Sequence, residues 1–192
     1  MKIAIQKNGR LNQESLAFLA SRGIEVENPN GDLSVRSADG LIEVLFIRDD
    51  DIPEYVRCGV VDFGIVGKNL LCEKKLQLPV VEELDFAYCN LVLAVPEDSN
   101  LRCLEDLEGL RIATSYSDFL GAYLKAHEIR SAIIPIKGSV EIAPRLNMAD
   151  AVCDLTQTGK TLKANGLRVI ETIFKSQAVL IASSPTLSFP TL

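Results

Sequence analysis

Short apolar runs alternate with segments of helical periodicity along almost the whole chain, and this alternation constrains the fold more than any other feature. The runs at residues 3–5, 43–47 and 61–67 open the series, and residues 178–183 close it. Buried strands that alternate with helices are typical of α/β proteins, whose largely parallel sheets are covered by helices. The sequence therefore predicts the α/β class.

The alternation restarts near residues 87–90, and this restart predicts two domains. We expect domain I to comprise residues 1–88 and 172–192, and domain II to comprise residues 89–171. Ligands of α/β sheets bind where loops leave the carboxyl ends of the strands. The polar loops expected at such ends are residues 7–10, 48–51, 64–68, 114–116, 138–141 and 154–161.

Local signals predict where several elements begin or end. Asn12 is expected to cap the first helix and Asp51 the second, because short polar side chains accept hydrogen bonds from the free N–H groups of a first helical turn. A helix is expected over residues 116–127, and another is expected to begin within residues 138–146. The last ten residues, 183–192, are expected to form an extended tail.

The composition is that of an ordinary globular protein, with 47% hydrophobic and 24% charged residues. The formal net charge of −6 argues against non-specific binding to nucleic acid or to an acidic membrane. No apolar run has the length of a membrane span, and the N-terminus lacks the apolar core of a signal peptide, so we expect a cytoplasmic location. The five scattered cysteines are expected to be free thiols, and His127 is expected near a helix end without a catalytic role.

The segment ADAVCDLTQTGKTLKANG, residues 149–166, carries the clearest functional signal. A short apolar run ends in Asp154, a polar turn around Gly159 follows, and residues of helical preference come next. Backbone N–H groups at a helix start suit a phosphate, glycine permits close approach of the backbone, and the threonine hydroxyls add donors. The segment therefore predicts a strand, a phosphate-binding turn and a helix start.

The end of this turn, Gly159-Lys160-Thr161, matches the end of a nucleoside-triphosphate loop, but that pattern needs a glycine where this chain has Asp154. A carboxylate at that point would face the phosphates. An acidic residue ahead of a Thr-Gly-x-Thr turn better suits a sugar phosphate, with the carboxylate binding ribose hydroxyls and the turn binding the phosphate. Asp150 is expected to share a face with Asp154 and at most to support it.

Six blocks of sequence together resemble the ATP phosphoribosyltransferase family. They follow the family's order and spacing, cover about residues 3–181, and leave only the tail unmatched. The blocks are QKNGRL, IRDDDIPEYV, GVVDFGIVGKNLL, RIATSYSDFL, GSVEIAPRLNMADAVCDLTQTGKTLKANGL and SQAVLI.

The resemblance implies a two-domain fold like that of the type II periplasmic binding proteins, with the active site in the cleft between the domains. It implies a Mg²⁺-dependent glycosyltransferase that moves phosphoribosyl from phosphoribosyl pyrophosphate to N1 of the adenine of ATP. Pyrophosphate is released in this reaction, which is the first step of histidine biosynthesis. Because the reacting sugar carbon becomes cation-like, no covalent nucleophile is needed, and catalysis comes from positioning and charge stabilisation.

The resemblance also implies two sets of binding residues, and it assigns no protein ligand to the metal. Arg10, Glu141 and Asp154 would act electrostatically in catalysis. The turn at residues 158–161 would hold the 5′-phosphate of phosphoribosyl pyrophosphate. The residues that bind phosphoribosyl pyrophosphate would be Glu141, Asp154, Thr156, Thr158, Gly159, Lys160 and Thr161. The residues that bind ATP would be Lys7, Gly9, Arg10, Arg48 and Asp51.

Simpler roles stay open for several of these side chains. Asp51 could serve only as a helix cap, and Glu141 could serve only to complement a helix dipole. Arg10 and Arg48 could be solvated surface charges, and Lys160 could point to solvent.

The chain departs from the family pattern at two positions, Asp32 and Asn90, where the family usually has a cation. Loss of two cations beside an anionic site weakens binding by Coulomb's law, unless a neighbour such as Arg36 or a partner supplies the charge. The length resembles the short form of the family, or a long form without its C-terminal regulatory domain. We therefore expect a homodimer, or a hetero-oligomer with a regulatory subunit that resembles histidyl-tRNA synthetase.

Two alternative functions remain open at this stage. One is a paralogue that binds the ligands but is catalytically impaired by the altered charges. The other is a cytosolic anion-binding protein of the same fold.

Overall fold

The computed structural model describes residues 1–28 and 30–190. They form two compact units: Met1–Ala87 together with the segment from Gln177 onward, and Tyr88–Ser176. The first predicted boundary differs from this division by one residue and the second by five. The second difference arises because the last strand of the second unit continues to Ser176.

The elements alternate as the α/β pattern predicts. The strands are β1 (Lys2–Gln6), β2 (Ser34–Arg36), β3 (Glu43–Ile47), β4 (Phe63–Gly67), β5 (Val80–Glu83), β6 (Cys89–Pro96), β7 (Arg111–Thr114), β8 (Ala132–Pro135), β9 (Ala151–Thr156), β10 (Leu167–Ser176) and β11 (Ala178–Ala182). The α-helices are α1 (Arg10–Ser21), α2 (Ile52–Arg57), α3 (Lys68–Glu73), α4 (Ser117–Ala126) and α5 (Lys160–Ala164). Short 3₁₀ helices lie at Glu105–Leu107, Val140–Ile142 and Pro144–Leu146. Within the described residues, no helix is long and apolar enough to cross a membrane.

The sheet of the first unit has the strand order β2-β3-β1-β4-β11-β5. The central pairs β1–β3 and β1–β4 are parallel, and β11 runs antiparallel to both of its neighbours. Successive side chains of a strand point to opposite faces. Accordingly, Ile3 and Ile5 join a core that includes Leu19 of α1, while Ala4 joins a core that includes Val56 of α2 and Leu70 of α3. Helices therefore cover both faces of this sheet.

The sheet of the second unit has the order β10-β6-β9-β7-β8, with β7 parallel to β8 and β9, and with β6 antiparallel to β9 and β10. One face carries Leu91, Leu93 and Cys153 and packs against Leu120 and Leu124 of α4. The opposite face carries a second buried cluster, which consists of Val92, Ala94, Ala113, Val140, Ala143, Ala149, Val152, Leu162 and Leu167. The segments that cover this second face are the 3₁₀ helix Val140–Ile142 and α5, and the candidate site lies there.

Two predicted helix starts differ from the structure. Asn12 is not a cap: α1 begins at Arg10, and the Asn12 amide Nδ2 donates to the Gln6 carbonyl at 2.6 Å. The helix expected to begin within residues 138–146 is replaced by two 3₁₀ turns. Pro144 lacks an N–H group, so it cannot donate the hydrogen bond to the carbonyl of Val140 that an α-helix through this segment would need.

Asp51 does occupy the N-cap position of α2, but its side chain forms no capping hydrogen bond. The helix predicted over residues 116–127 is present as α4, and His127 is its C-cap residue. The predicted strands agree widely with the observed ones, whereas the predicted helix starts do not, because the two predictions depend on different signals. Apolar periodicity reports the buried core, whereas a cap depends on local backbone geometry.

The predicted tail contributes to the core of the first unit. Phe189 is buried, and its ring centroid lies 5.1 Å from that of Phe63 and 5.9 Å from that of Phe18. Residues 191 and 192 of the predicted tail lie outside the described part of the chain. The tail forms no helix or strand as far as residue 190, but it packs against the core at Phe189, because burial of an aromatic ring is favourable even among polar neighbours.

Close packing of α2 on β4 predicts a strong effect of Gly64→Ala. A Cβ atom at Gly64 would lie 2.6 Å from Ile52 Cγ2 and 2.9 Å from Val56 Cγ2. Because overpacking forces neighbouring side chains away from their rotamers, we expect the free energy of unfolding to fall by about 1–3 kcal/mol. Denaturant unfolding monitored by circular dichroism would measure the change.

Gly121→Ala is the matched control. A Cβ atom there meets only Ile133 Cδ1, at 3.5 Å, and the residue lies inside α4. Because alanine is the better helix former by roughly 0.5–1 kcal/mol, this variant is expected to be as stable as the wild type or more stable. Equal destabilisation by both substitutions would contradict the packing argument.

Candidate functional site

Strand β9 places two polar side chains on the face covered by α5. Val152 belongs to the buried cluster that includes Val140 and Leu162. Because side chains alternate along a strand, Asp154 and Thr156 point to the same face as Val152. The strand was expected to end at Asp154, but β6 continues to pair with it up to Thr156. The extra pairing holds both polar residues in fixed positions.

A cavity of about 290 Å³ opens at this end of β9. It is lined by Glu141, Asp154, Leu155, Thr156, Gln157, Thr158, Lys160, Thr161 and Leu162. Six of the seven residues predicted for the sugar phosphate therefore line one cavity, and the seventh, Gly159, is the N-cap of α5. Gln157 was not singled out by sequence reasoning, although it lies within the predicted turn.

Two larger cavities lie away from this turn. One of about 760 Å³ is formed mainly by α4 and residues 128–133, and one of about 370 Å³ lies against α1 in the first unit. Neither is lined by the strand, turn and helix start that carry the predicted chemistry. Size alone therefore does not identify the functional site in this protein.

The turn between β9 and α5 is closed by an internal hydrogen bond. Gly159 has φ 72° and ψ 0°, a left-handed conformation that glycine adopts without strain. Its amide donates to Thr156 Oγ1 at 2.8 Å. The Gly159 amide is therefore engaged within the turn and is not one of the donors left for a ligand. The first N–H groups of α5, at Lys160, Thr161 and Leu162, have no partner within the helix and remain as donors.

The Asp154 carboxyl group is held in an environment that disfavours its charge. Burial is the main cause, and the nearby negative charge of Glu141 adds to it, so the pKa of Asp154 lies above its ordinary value. A hydrogen bond from the Leu155 amide to Asp154 Oδ1, at 2.8 Å, acts in the opposite direction. The two carboxylates thus form an electronegative wall of the cavity.

Asp150 does not support Asp154. Its Oδ2 accepts hydrogen bonds from the Arg111 amide at 2.9 Å and from Arg111 Nε at 3.1 Å, and its Oδ1 accepts one from Arg111 Nη2 at 2.8 Å. These bonds hold the pKa of Asp150 below its ordinary value. Asp150 precedes the first residue of β9, so it secures the end of the strand opposite to the cavity.

The five residues predicted to bind ATP lie in the first unit, after two neighbouring strands. Lys7, Gly9 and Arg10 follow β1, and Arg48 and Asp51 follow β3. The two strands are parallel, and the Lys7 amide donates to the Ile47 carbonyl at 2.7 Å, so both loops leave the same edge of the sheet. All five residues are exposed.

Arg10 begins α1, and its Nε lies 3.4 Å from Glu14 Oε1.

Two positions, Asp32 and Asn90, lack the cation that the family pattern usually has. Asp32 is exposed, and its backbone N–H and C=O groups form hydrogen bonds with the Asn28 side chain. Arg36 is paired in register with Glu43. The pKa of Glu43 lies below its ordinary value mainly because the Ser34 hydroxyl donates a hydrogen bond to it, with a smaller contribution from the charges of Lys2 and Arg36. Asn90 lies in β6 directly beside Thr156.

The fold and the cavity define a class of protein: a two-unit α/β protein with a cavity lined by the turn that follows a strand end. A solved structure, the periplasmic aliphatic sulphonate binding protein SsuA from Escherichia coli, shares this fold with a TM-score of 0.58. It is 15% identical in sequence, and the match covers 95% of this chain and 64% of that one. Such a low identity indicates the fold alone.

The family follows from closer relatives. The family model for ATP phosphoribosyltransferase matches residues 48–189, and the chain belongs to that family. The match includes most of the predicted tail, which was expected to lie outside the resemblance.

Two curated relatives named ATP phosphoribosyltransferase match nearly the whole chain. The one from Cytophaga hutchinsonii is 45% identical over 98% of this chain, and the one from Phocaeicola vulgatus is 43% identical over 95%. The chain spans 65% of the length of each. A solved structure described as the ATP phosphoribosyl transferase (HisG:HisZ) complex from Thermotoga maritima matches with a TM-score of 0.81 and 31% identity, over 95% of this chain and 87% of that one.

The raised pKa of Asp154 predicts a stability gain for Asp154→Asn at neutral pH. An acid whose folded pKa exceeds its unfolded value destabilises the fold once it ionises. The penalty is absent below the unfolded pKa of about 3.9, grows as the pH rises through that value, and is complete above the folded pKa. We therefore expect Asp154→Asn to unfold at a higher temperature than the wild type at pH 7.

The gain is expected to vanish at pH 3 in the same thermal scans, where both proteins carry a neutral group at this position. Asp150→Asn is the control, and the opposite change in stability is expected for it. Its carboxylate is stabilised by Arg111, so this variant is expected to lose stability at pH 7. A destabilised Asp154→Asn protein at pH 7 would contradict the proposed environment of Asp154.

Proposed function

We propose that this chain carries the catalytic part of an ATP phosphoribosyltransferase. It transfers phosphoribosyl from phosphoribosyl pyrophosphate to N1 of the adenine of ATP and releases pyrophosphate, the first step of histidine biosynthesis. The observation that carries the proposal is the cavity at the end of β9, where two carboxylates and a turn rich in donors line one space. Membership of the family supports the same reaction.

The turn after β9 is proposed to bind the 5′-phosphate of the sugar. The unpaired amides of Lys160, Thr161 and Leu162 supply donors with partial positive charge, and the hydroxyl groups of Thr158 and Thr161 add further donors. Thr156 is proposed to shape the turn as well as to bind the sugar phosphate. Its oxygen accepts the Gly159 amide and so holds the turn in shape, while its own proton is free to point into the cavity.

Asp154 is proposed to bind the two ribose hydroxyl groups. Hydroxyl donors favour the charged form of a carboxylate, so binding would lower the pKa that burial raises in the free protein. With Glu141 beside it, the site would present negative charge to the sugar carbon that becomes cation-like as pyrophosphate leaves. This is electrostatic stabilisation of the transition state, without a covalent intermediate.

Lys7, Arg10, Arg48 and their neighbours Gly9 and Asp51 are proposed to bind ATP. Exposed cations in two loops at one sheet edge suit a triphosphate, and Gly9, with φ 93°, adopts a conformation that favours glycine at the start of α1. Arg10 would also stabilise the charge of the leaving pyrophosphate. The placement of the substrates between the two units remains a prediction from the family resemblance.

Mg²⁺ is proposed to bind together with the substrate. Among residues 1–28 and 30–190, no group of three or more His, Cys, Asp or Glu side chains could hold a metal ion by itself. Mg²⁺ is commonly held by one or two carboxylates and by substrate phosphates, and the oxygens of Glu141 and Asp154 fit that role. When bound, the ion would neutralise charge on the departing pyrophosphate.

We further propose that the chain works in the cytoplasm, where ATP is consumed for biosynthesis, and as part of an oligomer. The solved relative named above is a complex of two kinds of subunit, HisG and HisZ. By analogy, this chain would form a homodimer or associate with a regulatory subunit that resembles histidyl-tRNA synthetase.

Purified chain with ATP, phosphoribosyl pyrophosphate and Mg²⁺ is expected to form phosphoribosyl-ATP. Lys160→Gln is expected to weaken the affinity for phosphoribosyl pyrophosphate about tenfold, because it removes a charged donor that lines the cavity. Product formation is followed by chromatography and affinity by titration calorimetry.

Lys163→Gln is the matched control on the same helix, because Lys163 is exposed and does not line the cavity. It is expected to bind as the wild type does. No product, even with the regulatory subunit added, would count against the proposed activity. Equal affinity of both variants would show that Lys160 points to solvent.

A second candidate is a binding protein of the same family without turnover. It is favoured by Asp32 and Asn90, which replace two cations of the family pattern beside an anionic site. Calorimetry that detects both substrates at micromolar affinity, with no product over a long incubation, would select it over the enzyme.

A further inference from the structure

The cavity at the end of β9 is short of positive charge for the ligand proposed to fill it. Its lining contains two carboxylates, Glu141 and Asp154, but only one cation, Lys160. Phosphoribosyl pyrophosphate brings several negative charges. Amide donors offset part of this charge, but a lysine or arginine within reach adds a full positive charge.

The strand register places a further cation in line with the cavity. Thr156 of β9 is paired with Asn90 of β6, and Asn90 is paired on its other side with Lys175 of β10. Paired residues of neighbouring strands point to the same face of a sheet. Lys175, Asn90 and Thr156 therefore form one row across the face that carries Asp154.

The distance across this row suits a lysine side chain. Adjacent strands lie about 4.8 Å apart, so the backbones of Lys175 and Thr156 are about 10 Å apart. The four-carbon stem of lysine is flexible and long enough to span the shorter Asn90 side chain towards Thr156. Lys175 is exposed and forms no ion pair with any residue that the structure describes, so its ammonium group is available to a ligand.

We propose that Lys175 is a further phosphate-binding residue of this site, which reaches over Asn90 to the ligand held by the turn after β9. The inference rests on the proposed function, since it concerns the sugar phosphate of that reaction. Lys175 of β10 would supply the positive charge that the uncharged Asn90 of β6 does not. It also explains how a carboxylate-lined cavity can attract an anion.

The test is titration calorimetry of the full chain with phosphoribosyl pyrophosphate. Lys175→Gln is expected to lower the affinity about tenfold, and Lys175→Arg is expected to retain most of it, because the charge is kept. Lys125→Gln is the control: Lys125 lies on α4, which packs on the opposite face of the same sheet. It is expected to bind as the wild type does, and thermal unfolding is expected to be unchanged in all three.

A rescue variant separates ligand contact from a structural effect. Adding Asn90→Lys to Lys175→Gln returns a cation to the same row one strand nearer to Thr156, and it is expected to restore the affinity. Titrations with ribose 5-phosphate and with inorganic pyrophosphate identify the group that Lys175 contacts, because only the contacted probe loses affinity in Lys175→Gln.

The outcomes separate the two claims. A wild-type chain that does not bind phosphoribosyl pyrophosphate overturns the proposed function and this inference together. Wild-type binding with an unchanged affinity in Lys175→Gln overturns the role of Lys175 alone. A loss of affinity that Lys125→Gln shares, or that the rescue variant fails to reverse, likewise overturns it.

Discussion

The partial burial of the Asp154 carboxyl group at the end of β9 is the constraint on which the candidate site depends. Its position follows from the pairing of β9 with β6, which continues for two residues beyond Asp154, to Thr156. Burial then raises the pKa of the carboxyl group, and Glu141 raises it further. A group with this environment is costly in the free protein and becomes favourable only when donors from a ligand surround it.

This arrangement places stability and function in opposition at one residue. A neutral side chain at position 154 would remove the desolvation penalty, but it would also remove the group proposed to hold the ribose hydroxyls. Asp150 shows the contrast, because Arg111 bonds both of its carboxylate oxygens and it fits a purely structural role. Sites that retain unfavourable groups while their neighbours are fully paired are commonly functional.

Much of the architecture could be predicted from the sequence, because apolar periodicity records which side chains are buried. Strand β3 was predicted with its observed bounds, and α4 within one residue at each end. The differences fall where local geometry or distant contacts decide. Asn12 bonds to the end of β1 instead of capping its helix, Pro144 divides a predicted helix into 3₁₀ turns, and Phe189 packs into a core that its polar neighbours do not reveal.

The sequence by itself determined the α/β class, the resemblance to a family, and the turn at residues 158–161, since all three depend on residue types at short spacings. Only the tertiary structure decided that Glu141 lies beside Asp154, that Thr156 closes the turn, and that Lys175 stands in a row with Asn90. These relations depend on strand order and register, which bring together residues far apart in the chain. No local pattern encodes them, because the pairing of β6 with both β9 and β10 is established only when the whole sheet forms.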